Sequence, residues 1–248
     1  MRNKIFAAVF CIALSGAIWA QTSAPATTAA KPAAPAATAP SAIIHTSMGD
    51  IHCTLLPDKA QIGVKNFIGL AKGTKEWTSP SGAKKTGVPL YDGTTFHRVI
   101  PEFMIQGGDP RGNGTGDPGY KFKNEISPTL KFDVPGRLAY ANAGRDTNGS
   151  QFFITEVPYQ GLDYDPVKNP GNGGYTIFGQ CGDEEVVKAI ARVPRDGNDK
   201  PRKPVTIKHI EIIGAGGAAQ PAVKATPKPA AKPSAKSAAP AAKKPVQP

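Results

Sequence analysis

Residues 96–109 read FHRVIPEFMIQGGD, and residues 139–154 read AYANAGRDTNGSQFFI. Side chains of a strand alternate between its two faces. Phe96, Arg98 and Ile100 are therefore expected on one face and His97 and Val99 on the other, while Met104 goes with Gln106 and Gln151 with Phe153. QFFI is apolar in both phases, so Phe152 and Ile154 can fill a core while Phe153 points out to line a pocket. Apolar rings with a few placed polar groups are the usual make-up of a ligand site, although Phe103, Met104 and Phe153 taken singly also read as core residues. Arg98 discriminates between these readings. A guanidinium keeps its charge and is rarely buried alone, so Arg98 needs a carboxylate, with Glu102 and Asp109 nearby, or a ligand. No nucleophile, base or metal cluster stands beside it, a combination suited to gripping a peptide and bending an amide without cutting it. Ser150 has no histidine and acid partner that the sequence can place, which argues against a hydrolase.

Outward from these segments, two helices are predicted. The first has Asp58 as cap and Ile62, Phe67, Ile68 and Ala71 at near-helical spacing, ending at Gly73. The second has Asp183 as cap, Glu184 and Glu185 in its first turn, then Val186, Val187, Ile190 and Val193, with Pro194 as stop. Between them lie short β-rich runs and many of the chain's 27 glycines and 25 prolines, the layout of a β sandwich or barrel with few helices.

These two runs, with TSMGDIHCTLLPDKA (46–60), NFIGLAKG (66–73) and YTIFGQ (175–180), resemble the cyclophilin-type peptidyl-prolyl isomerases, in order from about Ile43 to Ile213. The resemblance implies a mainly β fold: a closed eight-stranded antiparallel β-barrel capped by two α-helices, with the site on its outer surface. It implies Arg98 as the catalytic residue, an apolar pocket for the proline ring from Phe103, Met104, Phe153 and Leu162, and Ala141, Asn142, Gln106 and Gln151 holding the flanking peptide. Tyr175 stands where animal members often have histidine, as in bacterial members. No cofactor and no metal are implied, and the substrates are proline-containing polypeptides.

The chemistry is that of the amide. A peptide bond resists rotation by about 18–20 kcal/mol because the nitrogen lone pair is delocalised, and prolyl exchange takes tens to hundreds of seconds. A donor aimed at the prolyl nitrogen binds the twisted state better than either planar one, which is the condition for catalysis. Lowering the barrier by about 7 kcal/mol gains roughly 10⁵ in rate. The alternative is a chaperone-like module that holds proline segments with little turnover.

Besides Tyr175, three features depart from the family pattern. Many members carry tryptophan, a cyclosporin contact, immediately before the leucine matching Leu162; this chain has Gly161. Residues 165–174 look like an insertion and 75–89 form a long loop, and both are expected to border the groove or to be tolerated surface loops.

The flanks read differently. Residues 1–20 have the charged start, apolar run and small-residue end of a secretory signal peptide. Residues 21–41 are an Ala/Pro/Thr-rich disordered linker, 42–214 the isomerase domain, and 215–248 a Lys/Ala/Pro-rich disordered tail. The expectation is an exported bacterial form, periplasmic or secreted, soluble after signal removal. Arg2, Lys4, Lys31 and six tail lysines carry nine of the formal +11, leaving +2 for the domain. The folded part is thus not expected to bind nucleic acid, and the tail reads as a solvated spacer or a weak contact with anionic envelope surfaces. A polar barrel exterior gives no reason to expect more than a monomer. Cys53 and Cys181 either pair or, as their apolar strand contexts favour, remain buried free thiols. The four histidines lack metal-ligand spacing.

Overall fold

A computed structural model describes residues 39–167 and 173–214; the proposed signal peptide, the linker up to residue 38 and the tail lie outside them. Eight strands form one antiparallel sheet: β1 (Ser41–Thr46), β2 (Gly49–Leu55), β5 (Arg98–Ile100), β6 (Met104–Gly107), β7 (Arg137–Tyr140), β8 (Phe152–Thr155), β9 (Ile177–Cys181) and β10 (Ile207–Ile213). Their order is β10-β1-β2-β9-β7-β8-β6-β5. A small hairpin pairs β3 (Trp77–Thr78) with β4 (Lys84–Lys85), and the helices are α1 (Gln61–Ala71) and α2 (Glu184–Ala191).

The sheet is an open half-barrel rather than the expected closed barrel, since no ladder joins its edge strands β5 and β10. The backbone chemistry at the seam explains this. Val99, in the middle of β5, donates its N–H to the Asp199 carbonyl at 2.9 Å, and Pro201 and Pro204, ahead of β10, have no N–H to give. The segment before β5 supplies scattered links: Gly93 N–H to the Ile207 carbonyl (2.8 Å), Phe96 N–H to the Val205 carbonyl (2.9 Å), Ile207 N–H to that of Thr94 (2.8 Å) and an isolated bridge between Thr95 and Thr206.

The concave side encloses the main core, where Phe67, Tyr91, Phe96, Phe152 and Phe178 meet α1 and α2. Phe67 sits centrally, with ring centroids 5.1–5.7 Å from Phe178, Tyr91 and Phe152. Phe152 and Ile154 fill this core as expected. Phe96 joins it too, which corrects its placement on the face of Arg98; the strand begins only at Arg98, and the irregular stretch before it breaks the alternation.

Both helix starts also differ from expectation. Asp58 caps nothing in α1, and Ile62 is exposed rather than core-facing. Glu125 reaches the free N–H groups of the first turn instead, accepting from Ile62 (2.9 Å) and Gly63 (2.7 Å). At α2, Asp183 sits at the N-cap position but is turned to His52, accepting from its backbone N–H (2.7 Å) and bonding its ring Nδ1 (2.9 Å). The two cysteines are directly opposed on β2 and β9 and form a disulfide, S–S 2.10 Å, correcting the free-thiol expectation. Strand register, which decides their separation, is not readable from local sequence.

Candidate active site

The convex face of the sheet carries a second apolar cluster, separate from the core. Met104, Phe132, Ala139, Phe153 and Ile177 form its buried part, and Ile100, Phe103, Leu130, Ala141, Leu162 and Tyr175 pack around them. Directly opposed residues of antiparallel strands point to the same side, so strand pairing lays the site out in rows. Arg98 faces Gln106, Gln106 faces Phe153, Phe153 faces Ala139, and Ala139 faces Ile177. One row thus runs from a cation through an amide and an aromatic ring to an aliphatic end. Two residues along the strands, Gln151 and Ala141 start the next row, joined by Ala141 N–H to the Gln151 carbonyl at 3.0 Å.

Arg98 is only partly buried, and the neighbouring carboxylates are engaged elsewhere. Asp109, 1% exposed, accepts backbone N–H groups from Arg111 (2.7 Å), Asn113 (3.0 Å) and Gly114 (2.6 Å). Glu102 lies 3.9 Å from Arg192. Among the described residues no carboxylate forms an ion pair with Arg98, which leaves its donors for a ligand. Behind it, His97 is 6% exposed, and neither ring nitrogen has a hydrogen-bond partner among the described residues. Burial pushes this imidazole below its ordinary pKa, against the pull of Asp109.

The polar half of the site is a relay of amides. Gln106 Nε2 donates to Gln151 Oε1 (3.0 Å), and Gln151 Nε2 donates to the carbonyls of Gly114 (3.0 Å) and Gly116 (2.8 Å). Asp109 therefore folds the loop that fixes Gln151, and Gln106, Gln151, Gly114, Gly116 and Asn142 border a cavity of about 320 Å³. Asn142 Nδ2 donates to the Gly174 carbonyl at 2.9 Å, tying this edge to the inserted loop. The long loop at 75–89 backs the same wall, with Thr78 N–H on the Pro118 carbonyl at 2.9 Å. The tight turn after β6 needs its glycine: Gly108 has φ +77°, and a Cβ there would lie 2.6 Å from the Ser150 carbonyl oxygen.

The apolar half includes residues that the sequence did not single out. Phe132 stacks on Phe153 (centroids 5.8 Å, 21° between planes), and Tyr175 meets Phe153 edge-on at 5.4 Å. Phe132 comes from a loop without periodicity, which offers no sequence signal for its place at the site. Tyr159 packs on Phe103 at 4.6 Å, and a Cβ at Gly161 would lie 2.9 Å from its ring. Tyr159 thus borders both Phe103 and Gly161. Phe103 is held from behind: buried Glu156 accepts the Glu102 N–H (2.7 Å) and pairs with Arg192, while Glu156 N–H donates to the Phe103 carbonyl (2.9 Å). Glu102 itself is in the left-handed region, φ +58°. Leu162 closes a short 3₁₀ turn, Gln160–Leu162, at the cluster's rim. All ten residues expected at the site therefore come to one face: six in the apolar cluster, Gln106, Gln151 and Asn142 on the amide side, and Arg98 at the end of the row.

An antiparallel half-barrel with two helices packed on its core, and an arginine beside an apolar hollow on its other face, defines a peptide-binding class of site with no nucleophile at its centre among the described residues. Residues 41–212 match the family described as cyclophilin type peptidyl-prolyl cis-trans isomerase/CLD, and the chain belongs to that family. It is 49% identical over 181 residues to peptidyl-prolyl cis-trans isomerase A of Mycobacterium tuberculosis, covering 72% of this chain and 94% of that protein. It is 48% identical over 175 residues to peptidyl-prolyl cis-trans isomerase B of Streptomyces anulatus, covering 69% and 95%. Among solved structures it is similar to a cyclophilin type isomerase of Cryptosporidium parvum determined in the presence of the dipeptide Ala-Pro: TM-score 0.56, 35% identity, 68% of this chain and 96% of that one.

Proposed function

We propose that in this peptidyl-prolyl cis-trans isomerase Arg98 supplies the rate acceleration. The observation that carries the reading is an arginine with no carboxylate partner among the described residues, at the end of a row that continues through Gln106 to the ring of Phe153. The proline ring enters the hollow of Phe103, Met104, Phe153 and Leu162. Gln106, Gln151 and the backbone of Ala141 and Asn142 hold the flanking chain, with Tyr175 at the margin. One side of the bond is thereby fixed while the other turns. As the nitrogen pyramidalises, its lone pair becomes an acceptor for the guanidinium, an interaction the planar ground states lack. The residues need no cofactor for this step. A holding module without turnover would not need a group aimed at the prolyl nitrogen. Exchange rates on an X-Pro peptide, measured by NMR without a coupling protease, test the assignment: Arg98→Ala abolishes most of the acceleration, and undiminished exchange removes Arg98 from its role.

We further propose that this is an exported bacterial form, acting as a monomer on proline-containing segments of proteins outside the cytoplasm. The reading is supported by the signal-like residues 1–20 and by the Cys53–Cys181 disulfide, which suits an oxidising compartment. N-terminal sequencing of the protein from cell fractions tests it; an intact Met1 in the cytoplasmic fraction contradicts it.

A further inference from the structure

At the far end of the row from Arg98, beyond the proline hollow, a second cavity of about 390 Å³ opens off the convex face. One wall is Ile126 and Pro128, the other is Tyr164 and Pro166, which lead into the inserted segment, and Phe132 and Tyr175 are shared with the hollow. Lys131 and Asp163 border it with opposite charges, so nothing there selects a charged group, and the apolar walls set the preference. The walls are braced. Asp163 Oδ1 accepts the Phe132 N–H (2.8 Å), and Asn124 Nδ2 bonds the carbonyls of Gly173 (2.6 Å) and Gly174 (2.8 Å). A Cβ on Gly174 would lie 2.9 Å from Tyr164 and 3.1 Å from Ile126, so the two walls approach each other at this glycine.

We infer that this cavity is a specificity subsite for the isomerase substrate, taking a large apolar or aromatic side chain of the same polypeptide, two residues from the proline. The inference rests on the isomerase reading for the identity of the ligand, and on geometry for the rest. Phe132 stacks 5.8 Å from Phe153, so the cavity begins one ring beyond the hollow. An extended chain advances roughly 3.3–3.6 Å per residue, which places the occupant about two residues away. In such a chain, residues two apart also point to the same side, so proline and occupant both face the sheet. The other cavity presents the side-chain amides of Gln106, Asn142 and Gln151 in place of these apolar walls and receives a different part of the peptide. The preference is therefore one-sided.

The test uses two peptide series around a single Ala-Pro bond, with Phe, Leu or Gly placed two residues before the proline or two residues after it. Protease-free NMR exchange gives kcat/KM, and shifts of the Tyr164 and Tyr175 ring signals report binding. In one series only, Phe and Leu should exceed Gly by about tenfold, equivalent to ~1.4 kcal/mol. Ser127→Trp, which fills the cavity from its border, should bring that ratio close to one. Equal kcat/KM for Phe and Gly in both series, or an unchanged ratio in Ser127→Trp, overturns the subsite. If no peptide is turned over but the Phe peptide still binds more tightly and shifts Tyr164, the isomerase reading falls and the subsite stands.

Discussion

Reduction of the Cys53–Cys181 bond should destabilise the domain by an amount the topology sets. The two cysteines are 128 residues apart in sequence, and the loop they close includes most of the site-bearing strands. The chain-entropy relation for a loop of that length gives about 5 kcal/mol at 25 °C, acting on the unfolded chain, while single bridges usually deliver about 2–4 kcal/mol. The lower range is the expectation here, and for a domain of this size it corresponds to a fall in Tm of roughly 5–15 °C. Reductant is a cleaner perturbation than Cys53→Ala with Cys181→Ala, because the side chains are only 2% and 3% exposed and truncation adds a packing loss. The assay is equilibrium denaturation with and without dithiothreitol, alongside a thiol count on the unreduced protein. Coincident curves together with two titratable thiols would show that the bond is absent and would remove its support for export.

Three further outcomes follow from the same geometry. Glu125→Ala removes the acceptor for two N–H groups at the start of α1 and should cost about 1–2 kcal/mol in denaturant unfolding, with Glu125→Gln intermediate; no change in midpoint would show that solvent replaces it. His97 is held neutral by burial, so its folded pKa lies below that of the unfolded chain, about 6.5. Its contribution is intact above that pH and declines as pH falls towards the depressed folded pKa, because the unfolded chain takes up the proton first. The pH dependence of Tm should flatten in His97→Leu across this window, and an unaltered profile would assign the acid sensitivity to other groups. Phe132→Ala removes the ring stacked on Phe153 and should lower kcat/KM on a proline peptide several-fold, about 1 kcal/mol of lost aromatic contact, through KM more than kcat; a loss confined to kcat would contradict its passive role.

Much of the site was legible because strands write their faces into alternate residues. Met104 with Gln106 and Gln151 with Phe153 emerge on the convex side, with Phe152 and Ile154 inside. The alternation fails at Phe96, ahead of the first residue of β5, where isolated bridges at Thr95 replace the ladder. Helix positions were readable from apolar spacing, but their caps were not. Glu125 reaches α1 across more than 60 residues of sequence, and Asp183 is drawn from its own helix to His52. Phe132 and Tyr159 escaped notice because loops carry no period, and their place at the site depends on where the chain returns. The disulfide depended on the register of β2 against β9, and the opening of the barrel on hydrogen bonds at its seam, both long-range properties.

Arg98, which pairs with no carboxylate among the described residues, is proposed to act on the prolyl nitrogen. Exchange of an Ala-Pro peptide by wild type, Arg98→Ala and Arg98→Lys, measured without a coupling protease and with peptide affinity followed in parallel, tests it most directly. Removal of one such donor is expected to lower kcat by roughly 10²–10³ while the fold and peptide affinity persist, with Arg98→Lys recovering little because an ammonium lacks the fork of N–H groups. Wild-type exchange by Arg98→Ala would contradict the account.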